Sequence, residues 1–135
     1  MKETLDEESI KELVEYRIQR SKETLDEVKS ITENGFYNTA INRLYYACYY
    51  AVIALLVKNN IAAQTHAGVK QMLGLHFVAT SKLATNHSRF YAQMFNNRIS
   101  GDYDDFVTFD REMIEELMPK AQVFIDAIEK LIAEN

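Results

Sequence analysis

The chain predicts an all-α fold, an antiparallel up-and-down four-helix bundle with one extra short helix. Three observations predict it. Four glycines and one proline in 135 residues are too few for the tight turns of a β-sandwich, and strand-like alternation is absent. Leu44 to Val57, LYYACYYAVIALLV, is an unbroken apolar and aromatic run of fourteen residues. From Ile114 to Ile132, apolar residues recur at helical spacing.

The run organises the rest. It is shorter than the ~18 residues that suggest a membrane span and longer than an ordinary strand. Ala47, Ala51, Ala54 and three leucines favour helix. A helix apolar on every side must be covered on every side, so it is expected at the bundle centre, away from any membrane. One domain spanning residues 1–135 is expected, with enough chain for a real core.

The first helix is expected from about Asp6 to Thr32. Thr4 and Glu7 have capping-box spacing. Its stripe is Ile10, Leu13, Val14, Leu25, Val28 and Ile31, interrupted by Arg17 and Ser21. Those two lie at a solvated edge, at a bundle end, or against a polar site. Asn34-Gly35 is a helix stop, because glycine adopts the left-handed conformation cheaply. The second helix, Asn38 to Lys58, contains the central run behind Asn42 and Arg43.

After the link NNIAAQ, Thr65 caps a third helix from His66 to about Ala79, with Val69, Met72, Leu73 and Phe77 inward. The loop SKLATN offers Thr85 or Asn86 as the next cap. The fourth helix, His87 to Ser100, carries Phe90, Tyr91, Met94, Phe95 and then Arg98 on one face, and Gly101-Asp102 ends it. Tyr103 to Phe109 forms a connection. Thr108 or Asp110 starts the fifth helix, which ends near Glu134 and is kinked by Pro119.

Totals narrow the function. Fifteen basic against twenty acidic residues, net −5, argue against a general nucleic-acid coat, and no DNA partner is expected. The charged N-terminus MKETLDEESIKEL has no apolar signal core, and a cytoplasmic location is expected. Cys48, the single cysteine, sits inside the apolar run and reads as a small buried hydrophobe. His66, His76 and His87 have no metal-ligand spacing and read as caps and surface, so no metal and no cofactor is expected. Eight tyrosines and seven phenylalanines exceed what a small core easily hides. They point to a homodimer interface, or to rings covered within one chain.

The segment with chemistry is Asn96 to Tyr103. Arg98 ends an apolar stripe, and Gly101, Asp102 and Tyr103 follow at once. A guanidinium presents a rigid fork suited to phosphate. Asp102 can orient it or act as a base, and Tyr103 can bond to phosphate. The alternative is an Arg–Asp pair that closes the helix over a packed tyrosine.

These residues resemble a family. Asn42 to Ala51, NRLYYACYYA, resembles the RxYYAxFxA helix of HEPN domains (higher eukaryotes and prokaryotes nucleotide-binding). Thr65-His66-Ala67-Gly68-Val69 is similar to the family's THxGV turn, His76-Phe77-Val78 to its HFV segment, and Arg98 to Tyr103 to its RxxxDY element. The four pieces stand in family order over roughly residues 36 to 107. The resemblance implies a dimeric helical bundle in a prokaryotic cytoplasm, paired with a minimal nucleotidyltransferase in a toxin–antitoxin-like system. It also implies, for many members, metal-free RNA cleavage by an RxxxxH motif, and inactivation by transfer of AMP to a tyrosine.

Tyr103 stands where that motif has histidine. A phenol titrating near 10 is a poor base at neutral pH. The function expected is therefore a nucleotide- or RNA-binding or partner-docking module acting with a nucleotidyltransferase. Arg43 and Arg98 bind phosphate, unless Arg43 is held in a structural ion pair, for example with Asp102. The alternative is a metal-independent ribonuclease toxin in which Arg98, Asp102 and Tyr103 replace the motif.

Overall fold

The computed structural model describes residues 6–103 and 108–134. They form five α-helices: α1 (Glu7–Glu33), α2 (Tyr37–Lys58), α3 (His66–Leu73), α4 (Thr85–Tyr103) and α5 (Arg111–Ala133). The all-α class is as expected, and no strand occurs among the described residues.

Helix α2 is the axis. Leu44, Tyr45, Ala47, Cys48, Ala51, Val52, Ala54, Leu55 and Leu56 are buried. The coat is nevertheless incomplete, because Tyr46, Tyr49 and Tyr50 are only half-buried. With 22 residues α2 is long and apolar enough to cross a bilayer, yet its apolar faces already pack within the chain.

Small side chains let α1 approach α2. Ser21 is fully buried, and its hydroxyl donates to the Ala47 carbonyl at 2.6 Å. Arg17 is half-buried and donates to the Ile53 carbonyl at 3.3 Å. The break in the α1 stripe is therefore a helix contact, not a solvated edge. The pairings Arg17–Ile53 and Ser21–Ala47 run α1 and α2 antiparallel. Lys22–Glu129 and Arg111–Thr32 do the same for α1 and α5.

Local chemistry sets the ends. Asp6 caps α1 by accepting from the Ser9 amide at 2.7 Å. Thr4, and with it the expected capping box, lies outside the described residues. Gly35 takes φ +81°, where a Cβ is strained, and turns the chain into α2. Thr65 caps α3 through the Gly68 amide, and Asp110 caps α5 through the Met113 amide, both at 2.9 Å. At its far end α5 is tied by Lys58, whose ammonium donates to the carbonyls of Ile132 and Glu134. A cation there also complements the helix dipole.

Two expectations are corrected. The third helix is not regular to Ala79: Gly74–Val78 is π-helical, closed by the Ala79 amide on the Gly74 carbonyl at 2.8 Å. The wider turn inserts a residue and re-aims the side chains beyond it. Phe77 there is buried. Gly101 does not stop α4, which runs on to Tyr103. A Cβ at Gly101 would lie 3.2 Å from the Phe109 ring, so this glycine permits a close aromatic contact instead.

Candidate nucleic-acid interface

The fourth helix delivers Arg98 to the side of α2. The Arg98 guanidinium carbon stands 5.1 Å above the centre of the buried Tyr45 ring. Its Nη1 lies 3.6 Å from Asp102, one turn on, and its side chain is 15% exposed. Its Nε is buried without a hydrogen-bond partner among the described residues. A guanidinium placed this way is oriented by an aromatic face and one carboxylate, with donor capacity unspent.

Tyr45 connects Arg98 to a residue that sequence reasoning set aside. The Tyr45 hydroxyl and His66 Nδ1 are 2.8 Å apart. The imidazole, at the first turn of α3, lies 4.6 Å from the Tyr49 ring and meets Tyr46 edge-on at 5.6 Å. Burial lowers His66 below its ordinary 6.5, and the nearby Arg98 charge lowers it further. The ring is therefore neutral at pH 7. Because Tyr45 holds Nδ1, proton exchange falls to Nε2. Burial pushes Tyr45 up to about 12, against the pull of Arg98, so its hydroxyl stays protonated.

Around this pair half-buried aromatic rings carry cations. Arg43 stands 5.3 Å over Tyr46, Arg20 5.5 Å over Tyr50, and Lys70 4.6 Å over Phe95. In a chain of net charge −5, three of the six arginines, Arg20, Arg43 and Arg98, thus stand over tyrosine rings of α2. Aromatic faces with fixed guanidiniums suit stacked bases and phosphate oxygens.

The expected site residues sort as follows. Arg98 and Asp102 come together. Arg43 joins the same face through Tyr46, but the described residues give Asp102 to Arg98 and not to Arg43. Tyr103 closes α4, and its side chain lies outside the described residues. His66 was missed because its spacing matches no metal or catalytic pattern. The only pointer to it in the sequence was the THxGV-like turn. Cys48 is fully buried, its thiol pushed up by burial, and takes no part.

Fold and face together define a small all-helical domain with an arginine–tyrosine–histidine surface. The HEPN domain profile matches residues 14–131, and the chain belongs to that family. A UPF0332 protein of Thermotoga maritima is 38% identical over 122 residues, covering 90% of this chain and 92% of that protein. Two proteins of Methanocaldococcus jannaschii, each named "Putative toxin", are 32% and 29% identical. The first alignment covers 93% of this chain and 92% of the relative, the second 90% and 84%.

Proposed function

We propose that this protein is the toxin-side member of a toxin–antitoxin-like pair and binds RNA or nucleotide phosphate through Arg98 and Arg43. Its partner in that pair is a minimal nucleotidyltransferase, and the pair works in the cytoplasm. The observation that carries the binding reading is the Arg98 guanidinium held over Tyr45 with Nε unpartnered. The M. jannaschii relatives' names support the toxin side. Two copies meeting beside this tyrosine-rich face would line one groove with both Arg98 side chains.

Fluorescence anisotropy with a labelled RNA oligonucleotide tests the binding. Arg98→Ala should weaken it at least tenfold while the circular dichroism spectrum is unchanged. Equal affinity in a folded variant would end this reading.

The second reading is the metal-independent ribonuclease, and His66 favours it. Its neutral imidazole supplies the base that Tyr103 does not. In the tautomer whose Nδ1–H donates to the Tyr45 oxygen, Nε2 carries no proton; it takes the 2′-hydroxyl proton, and the 2′-oxygen attacks phosphorus. The P–O5′ bond breaks, and the 5′-oxygen takes a proton from water. The product ends in a 2′,3′-cyclic phosphate. Expression should arrest growth, and either Arg98→Ala or His66→Ala should relieve it. Intact RNA after incubation with folded protein rules cleavage out.

A further inference from the structure

The Arg98 cluster does not use the outer strip of the same face. Arg43, Tyr46 and Tyr50 follow one another at i, i+3 and i+7 on α2, which places them in one row. At 1.5 Å per residue the row is about 10 Å long. Arg43 covers Tyr46, Arg20 reaches across from α1 to cover Tyr50, and the two rings are 6.1 Å apart. Both rings are half-buried, so each is held by its neighbours and keeps part of its surface open. The row begins beside the Arg98 site, because Tyr46 also packs against Tyr45 and His66.

We propose that Arg43, Tyr46, Tyr50 and Arg20 form a stacking strip for single-stranded RNA, carrying unpaired bases toward Arg98. The inference rests on the RNA-binding reading and specifies its ligand as unpaired strand. Rings offer stacking faces to any base, and the arginines meet the backbone between them. A duplex hides its base faces and gains only the charge contacts. Charge decides against a second copy seated on the strip. Ring-to-ring contact across a two-fold axis would set guanidinium against guanidinium in either register. Arg43 has no carboxylate at ion-pair distance among the described residues to relieve that, whereas Arg20 has Glu23 at 3.2 Å.

The experiment uses the full chain and a fluorescein-labelled, 2′-O-methylated oligoadenylate, which cannot be cut. Tyr46→Leu and Tyr50→Leu should each weaken binding roughly 5- to 100-fold. Tyr46→Phe should retain it, since the stacking face survives. Arg43→Gln should reduce the slope of log affinity against log salt by about 0.7. The same strand annealed to its complement should bind less tightly than the free strand.

Unchanged affinity in the leucine variants, with Arg98→Ala still weak, would overturn the strip and leave the Arg98 reading standing. Loss of a dimer in the leucine variants would assign the strip to a protein interface and overturn the inference equally. Absence of binding by the unaltered protein would remove both. If the leucine variants fail to fold, the phenylalanine variant and the Arg43 salt slope decide the matter.

Discussion

Removing one hydroxyl tests the link between the core and the site. Tyr45→Phe keeps the ring beneath Arg98 and deletes only the group that meets His66 Nδ1 at 2.8 Å. A typical internal hydrogen bond contributes about 0.5–1.5 kcal/mol net. His66 is only partly covered, so water can replace part of the loss and the lower half of that range applies. Unfolding entropy of about 2.1 cal/mol/K per residue gives roughly 0.28 kcal/mol/K for 135 residues. The expected fall in Tm is therefore about 2–4 °C at pH 7. Tyr45→Ala removes the ring as well, and its cost rises to about 3–5 kcal/mol by the loss of a large buried aromatic. Differential scanning calorimetry measures both. A Tyr45→Phe protein as stable as the parent would mean that the bond to His66 is not formed, and the tethered imidazole would go with it.

Four further outcomes follow from the structure. Arg98→Ala should raise the His66 value toward, but not to, 6.5, because the cation's effect is lost and burial, the larger cause, remains; an imidazole NMR titration reads this, and a fall or no change counts against the contact. In the unfolded chain His66 titrates near 6.5 and in the fold below it, so its stability contribution is complete above 6.5 and is lost as pH falls through the folded value. His66→Gln should flatten that part of the pH–stability curve, and identical curves would refute the assignment. Cys48, buried and with its thiol pushed up, should stay silent to a thiol reagent in native protein and react at once in urea; fast native labelling would contradict its place in the core. Asp110→Ala should cost about 1 kcal/mol, the usual worth of an N-cap, and equal urea midpoints would show that the cap contributes nothing.

Much of this molecule is legible in one dimension. Helix periodicity, the Asn34-Gly35 stop and the caps at Thr65 and Asp110 depend on neighbours a few residues away, so composition and spacing expose them. The buried run Leu44–Val57 marks the axis for the same reason. Arg98 and Asp102, one helical turn apart, were visible as a pair. Other features required the packed chain. Ser21 is silent in the sequence until α1 meets the Ala47 carbonyl. Gly101 reads as a stop until Phe109 arrives beside it. His66 stands 21 residues from Tyr45 and 32 from Arg98, and only the seating of α3 and α4 against α2 joins the three. Local free energies choose the helices. Which polar groups share a surface is decided by the rotation of each helix about its axis, and that is set by how side chains from distant segments fill the same core.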